Sequence, residues 1–287
     1  MCVITKEGRA QVKSKILKIL IYLSAVITLL ILFFLIAYIL IKGVPNLKPD
    51  LFARHYTSDN VSLMPAFINT LIMVGLSLLI AVPVGIFSAI YMVEYAKGGN
   101  RFVSIIKLAT ETLTGIPSII YGLFGMLFFV TTCGFGFSIR AGVATLSIMI
   151  LPLIMKTTEE ALKAVSDTYR EGSFGLGAGK LRTVFRIVLP SAIPGILAGV
   201  ILAIGRIVGE SAALIYTAGT VAQVPKRLTD SGRTLAVHMY TLASEGLHME
   251  EAYATAVILI VFVLGINTLS SFIVKKLINV DGKARLQ

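Results

Sequence analysis

EGSFGLGAGKLRTVFRIVLP, residues 171–190, packs four glycines into nine positions and follows them with eleven residues that contain none. A continuous helix through all four would cost about 1 kcal/mol for each relative to alanine, so the chain is expected to turn here. Upstream, residues 157–170 set Ala161, Leu162, Val165 and Tyr169 at helical spacing, with Glu159 and Glu160 early and Arg170 late, the order a helix dipole favours. Downstream, residues 180–189 read as a second short helix whose Leu181, Val184, Phe185 and Val188 share a face. Pro190 and Pro194 mark the entry into the next element. The pattern predicts a helix, turn, helix elbow over 157–190, charged with both signs.

What flanks the elbow decides where it lies. Apolar residues fill 56% of the 287 positions and charged ones 14%, with mean hydropathy +0.88, so the average segment prefers hydrocarbon to water. Residues 19–41, 60–93, 112–139, 187–205 and 252–274 carry no Asp, Glu, Lys, Arg or His. Each is about 20 residues or longer, enough to cross a hydrocarbon core of about 30 Å. A sixth stretch, 141–155, is only 15 residues long between Arg140 and Lys156 and is marginal by itself.

Charge settles the sixth span. With six crossings, 18 of the 26 Lys and Arg lie on the side of the two termini and 7 on the other, while Arg206 falls within a span. Removing the short span would move the basic cluster from Lys156 to Arg186 and the basic C-terminus to the opposite side, against the cytoplasmic bias of such residues. The expectation is an all-α membrane protein with six transmembrane helices, the elbow and both termini being cytoplasmic.

The same topology gives the net charge of +11 a plain meaning, as juxtamembrane anchors on anionic lipid rather than a nucleic-acid footprint. The first apolar stretch runs 23 residues without a small-x-small site before Gly43 and reads as an uncleaved helix. Cys2 and Cys133 fall near opposite faces, so no disulfide is expected, and two cysteines are too few for a cysteine-based metal site.

The organisation is a basic tail (1–18), a first span with an external loop (19–63), a core (64–275) containing the elbow, and a second basic tail (276–287). Pro83 and Gly85 in span two point to a helix packed inside a bundle. Span three opens on Thr-Gly-Ile-Pro-Ser (114–118) and continues through Gly122 and Gly125, a density of small residues suited to close helix contact. The external connection 216–251 contains a mildly amphipathic run, 235–247, which reads equally as a capping helix or as a docking point for an external partner.

Arg206 and Glu210 lie four residues apart where the fifth of the six spans continues past the charge-free stretch 187–205, on one face if the helix continues. An arginine deep in a bilayer costs at least ~2.5 kcal/mol, so such a residue is expected to face a cavity or a partner. Its fork of donors fits the oxygens of an oxyanion, and Glu210 could neutralise it when the path is empty. The plainer alternative is a structural ion pair locking helices together, with Glu111 as a further member.

Several features resemble one family. Permease subunits of ABC importers carry a cytoplasmic loop of the form Glu-Ala-Ala, three residues, Gly, nine residues, Ile-x-Leu-Pro. Glu171-Gly172-Ser173, Gly177 and Ile187-x-Leu189-Pro190 follow that spacing, with Gly and Ser in place of the two alanines. From about 64 to 274 the chain is similar to the PstA-type branch of phosphate importers. The resemblance rests on TGIPSIIYGLFG (114–125), on Tyr169-Arg170-Glu171 leading into Leu176-Gly177-Ala178, and on GRIVGESA (205–212). It implies a type I importer permease fold in the bacterial plasma (inner) membrane and an elbow that couples to an ATPase through Glu171, Gly172, Ser173, Gly177, Ile187, Leu189 and Pro190. It also implies Arg206 and Glu210 on a substrate path. The implied partners are a PstC-type sister permease, two ATPase subunits holding ATP and Mg, and an external phosphate-binding protein. No cofactor is expected on this chain.

Nothing in the residues supports catalysis. No Gly-x-x-x-x-Gly-Lys-Ser/Thr run is present to cradle a nucleotide, and His55, His238 and His248 fall in external segments without metal-ligand spacing. An ion-gradient-driven transporter remains the rival class, although Glu210 is the one carboxylate deep in a span and no inverted repeat is evident. Within the importer class, sulfate or molybdate is the alternative cargo.

Overall fold

The computed structural model describes residues 6–96 and 99–284, with side-chain surroundings for 14–96 and 99–272. The basic tails expected at 1–18 and 276–287 lie largely outside the latter set. The helices are α1 (Lys6–Gly43), α2 (Met64–Ile90), α3 (Arg101–Thr114), α4 (Ser118–Gly125), α5 (Ile139–Lys163), α6 (Asp167–Gly175), α7 (Lys180–Thr183), α8 (Leu189–Val208), α9 (Ala212–Ile215), α10 (Leu235–Glu245) and α11 (Met249–Ala284). Wider π-helical turns follow α2 (Tyr91–Tyr95) and α4 (Met126–Thr132), and another, Val184–Val188, joins α7 to α8 in one rod.

Five described helical segments are long and apolar enough to cross a membrane: Ser14–Asn46, Met64–Tyr95, Ile139–Lys163, Lys180–Val208 and Met249–Phe272. The sixth crossing is the pair Arg101–Thr114 and Ser118–Thr132, bent by 106°. Contacts sort the connections into two ends. At one end, Lys107 Nζ meets Glu159 at 2.9 Å, Arg170 meets Glu94 at 2.7 Å and Lys180 stands 5.2 Å from the Tyr95 ring centre. At the other, Ser138 N–H donates to Thr217, Ile139 N–H to Asp230, and Asn69 Nδ2 to the Gln223 carbonyl. Since α3 belongs to the first end and residues 133–140 to the second, the bent pair does traverse the bundle.

The third span is therefore not the straight helix expected over 112–139. Pro117 cannot donate to the carbonyl four residues back, that of Leu113, and its ring crowds the same oxygen. The chain breaks there, and Leu113 O accepts instead from Ile116 N–H at 3.2 Å and from the Tyr121 hydroxyl at 2.8 Å. The marginal stretch 141–155 deviates the other way. Its helix runs on through Lys156, Glu159 and Glu160 to Lys163, and with 67% of its apolar window buried it is the central helix of the fold. By the same measure α1 buries none and packs on the edge, along α11.

Lipid tails offer no hydrophobic drive between helices, so close approach must come from small residues. A Cβ on Gly85 of α2 would sit 2.7 Å from Ile154 of α5, and one on Gly195 of α8 would sit 2.7 Å from Ala161. Gly199 faces Thr157 at still closer range. Between these contacts, Met73, Leu146, Met149, Ile150, Ile154 and Ile207 fill a core with no exposed member.

The amphipathic run at 235–247 becomes α10, capped by the Thr234 side chain at its start and by left-handed Gly246 at its end. Leu235, Ala236, Val237 and His238 are all buried, which makes it a packed capping helix. His238, placed by the sequence in an external segment, is thus buried within that segment's own helix packing. Burial first, and then the nearby Arg233 charge, push its imidazole down to about 3, so it stays neutral while folded. Unfolded histidine titrates near 6.5, so its contribution to stability is present above that value and falls as pH drops toward 3. In gluconate buffers, melting temperature should fall between pH 6.5 and 4.5 for the wild type and fall less steeply for His238→Gln; parallel curves would show that His238 is not the group responsible.

Candidate functional site

The elbow is built from the end of α5 onward. That helix stops at Lys163, three residues turn, and Ser166 opens α6 by accepting the Thr168 N–H at 3.3 Å. The continuous helix expected over 157–170 is therefore two helices. Gly172 and Gly175 lie inside α6, and the turn comes later, at 176–179. Gly177 takes φ +81°, a conformation that costs an L side chain roughly 1–2 kcal/mol. Gly177 N–H donates to Phe174 O at 2.9 Å and Ala178 N–H to Ser173 O at 3.1 Å, the paired bonds of a Schellman C-cap.

Downstream of the turn the expected separate helix is absent, because α7, the π turn and α8 form one rod from Lys180 to Val208. Pro190 has no N–H for the Arg186 carbonyl, and the widened turn just before it makes room for its ring. Ile187, Leu189 and Pro190 are half-buried where the rod meets the bundle. The four apolar residues expected on one face divide in two. Val184 and Val188 are buried against Ala89, Ile90, Leu162 and Val165, while Leu181 and Phe185 point outward.

Two polar contacts fix the elbow. Ser173 and Thr183 share a buried hydroxyl hydrogen bond of 2.8 Å, locking α6 to the start of the rod. Arg170 does more. Its Nε and Nη2 donate to Glu94 at 3.1 and 2.7 Å, its Nη2 also to Leu162 O at 2.9 Å, and its Nη1 to Val165 O at 2.7 Å and to Asp167 at 3.0 Å. One guanidinium thus satisfies carbonyls left over at the end of α5 and grips the π turn that ends α2. Glu94 was not singled out in the sequence. Its signal is its place as the first charge after the 34 uncharged residues of span two.

The outer side of the elbow is a concavity of 970 Å³ lined by Ser173, Leu176, Ala178, Leu181, Arg182 and Phe185, among others. Leu176, at 91% exposure, stands at the tip of the turn, and Glu171, Gly172 and Gly177 are exposed beside it. Arg182 and Arg186 line the same concavity, so apolar and basic side chains lie together on its wall.

A second site lies toward the opposite end. There α8 stops at Val208, and Glu210 falls in the turn beyond, so Arg206 and Glu210 do not share a helical face. They form no ion pair among the described residues. Glu210 is buried and accepts the Ala213 N–H at 3.0 Å, holding the turn into α9. Arg206 is half-buried, forms no hydrogen bond or ion pair with a described residue, and projects its charge onto Tyr121. Glu111, considered as a further member, is exposed at the elbow end beside Lys107 and Lys156. The two sequence motifs 114–125 and 205–212 meet here: a Cβ on Gly122 would lie 3.1 Å from Ala212 O and 2.8 Å from the Cα of the next residue, Ala213.

Residues 81–279 match the family described as "Binding-protein-dependent transport system inner membrane component". The chain belongs to this family, the multi-pass permease subunits of ABC importers, which work with a separate ATPase and a substrate-binding protein. Several of its relatives there carry the PstA name. The "Probable ABC transporter permease protein YqgI" of Bacillus subtilis is 33% identical over 89% of this chain and 94% of its own length. The "Phosphate transport system permease protein PstA" of Haemophilus influenzae is 32% identical over 86% and 88%. "PstA 1" of Mycobacterium tuberculosis is 38% identical over 54% of this chain, which spans half of that longer protein. The fold is shared with a bacterial alginate ABC transporter, TM-score 0.67 at 17% identity over 91% and 94% of the two chains. It is also shared with the MetNI methionine transporter in inward-facing form, TM-score 0.61 at 20% identity over 75% and 94%.

Breaking a partly buried, multiply bonded pair leaves a charge without its partner and costs several kcal/mol. Arg170→Met should lower stability by about 3 kcal/mol and Glu94→Gln by less. The double variant should be milder than the two effects added, with a coupling of about 1 kcal/mol or more. Thermal melts of the four proteins test this, and strict additivity would show that the clasp is not a unit.

Proposed function

We propose that this chain is the PstA-type half of an ATP-driven phosphate importer. The observation that carries the reading is the junction of the 114–125 and 205–212 motifs, which leaves the Arg206 guanidinium without an acidic partner among the described residues. Sixteen residues beyond Pro190, Arg206 lies roughly 24 Å along the rod, deep enough to meet an anion already stripped of bulk water. A guanidinium fork matches phosphate oxygens better than an ammonium does. The relatives named as phosphate permeases support the cargo. Glu210 acts by holding the turn that presents Arg206, and not by neutralising it along the helix.

In this reading the chain pairs with a PstC-type sister permease and receives phosphate from an external binding protein. Its elbow, through Glu171, Gly172, Ser173, Gly177, Ile187, Leu189 and Pro190, seats on one of two ATPase subunits that hold ATP and Mg. Both termini and the elbow face the cytoplasm of a bacterial cell, and the helices span its inner membrane. Nucleotide-driven movement of the ATPase pushes the elbow. The rod Lys180–Val208 carries that push toward Arg206 because its two ends belong to one continuous helix.

Reconstituted vesicles containing both permeases, the ATPase and the binding protein test this. Phosphate uptake should require ATP and exceed sulfate uptake at least tenfold. Arg206→Gln should abolish uptake while leaving the complex assembled, and Glu171→Lys should separate ATP hydrolysis from uptake. Normal phosphate uptake by the Arg206 variant would remove that residue from the path, and preferential sulfate uptake would change the cargo.

A further inference from the structure

At the end opposite the elbow, Arg233 is only 4% exposed and His238 is fully buried. Arg233 lies immediately before Thr234, the N-cap of α10, so its cation sits beside the positive end of an eleven-residue helix, where a cation is disfavoured. No carboxylate among the described residues comes within ion-pair distance of it. Its compensation from the chain is the Tyr56 ring, 4.7 Å from the guanidinium carbon and edge-on to His238 at 6.2 Å. Such a contact offsets only part of the desolvation penalty of a buried ion.

The donors left over have a definite geometry. Arg233 Nε and Nη2 are both buried and make no hydrogen bond with a described residue, whereas the His238 ring is turned toward the Val61 backbone. The Nε/Nη2 edge is the one with which Arg170 grips Glu94 at the other end of the molecule. The backbone around it is pinned: Arg233 N–H donates to Val221 O at 3.0 Å, and Arg233 O accepts from Asn69 Nδ2 at 3.1 Å. Above the cluster Val61 takes φ +44°, a left-handed conformation that is strained for a β-branched residue.

We infer that the Arg233 fork, flanked by the Tyr56 and His238 rings, forms a closed binding site for a small inorganic anion of halide size, chloride under physiological conditions. Charge asks for an anion rather than water alone, since water satisfies the donors and leaves the buried cation uncompensated. Near-complete burial asks for a small monovalent ion, because a phosphate would have to shed far more hydration to enter. Such an ion would staple α10 and the loop 221–233 to the first turns of α2, and so stiffen the external cap of the bundle. This site is independent of Arg206 and of the cargo.

The test uses the full chain in detergent or in its complex, at pH 7 and constant ionic strength, in sodium chloride, bromide or gluconate. Chloride and bromide should raise the melting temperature by about 2–4 °C over gluconate. The rise should vanish in Arg233→Met and shrink in Arg233→Lys, which keeps the charge and loses the fork. Bromide-soaked crystals of the wild type should give an anomalous peak at the Nε/Nη2 edge of Arg233, a readout that needs no variant to fold. Equal melting in the three salts, a halide effect that survives Arg233→Met, stabilisation by phosphate but not by halide, or a bromide map without a peak at the cluster would each overturn the assignment.

Discussion

Arg170 is the residue on which the geometry of the elbow depends. Two helices end within a few ångströms of each other, α5 at Lys163 and the extension of α2 at Tyr95, and each leaves backbone groups or a charge without a partner. One planar group with five donors can serve both, and a lysine could not, because it offers a point charge rather than a fork. By filling all of these roles, Arg170 fixes where α6 starts relative to α2 and α5. The Ser173–Thr183 bond then fixes where α6 meets the rod. A push on the exposed tip at Leu176 therefore reaches three crossings through short, directional bonds rather than through a loose loop.

The rod gives that push somewhere to go. From Lys180 to Val208 the helix is roughly 44 Å long, and it stays continuous across Pro190 and Pro194 because the π turn at 184–188 absorbs the first proline. Its far end carries Arg206, and the turn beyond is held by Glu210 and packed against α4 through Gly122 and Ala213. The bend at 115–117 places α4 against that junction and α3 at the elbow end, so one broken span touches both regions. In the proposed function, a push on the elbow would reach Arg206 through elements of this chain alone.

The number of crossings and the elbow could be read from the sequence because each rests on composition or spacing, whereas the two motifs were found by resemblance. The 141–155 helix was underestimated since a charge-free window measures only the lipid-facing part of a helix, and α5 continues well beyond it among Lys107, Glu159 and Lys163. The 112–139 span was overestimated since Pro117 breaks a helix without leaving a charge to mark the break. The Arg206–Glu210 pair failed because i, i+4 spacing pairs residues only while the helix lasts, and here it stops at Val208. Glu94 and the Arg233–His238 cluster were invisible for a common reason: their partners lie 76 residues away in one case and across the bundle in the other. Pairwise proximity of that kind is not encoded in local pattern.

The central claim is that the glycine-rich turn faces the cytoplasm and is covered by an ATPase. Cysteine labelling at its tip measures both directly, using Leu176→Cys in a chain whose Cys2 and Cys133 are replaced by serine. A membrane-impermeant maleimide should leave intact cells unlabelled, react in inverted vesicles stripped of the ATPase, and be blocked when the ATPase is restored. Reaction in intact cells would put the turn on the outside and contradict the account, as would labelling that the restored ATPase does not reduce.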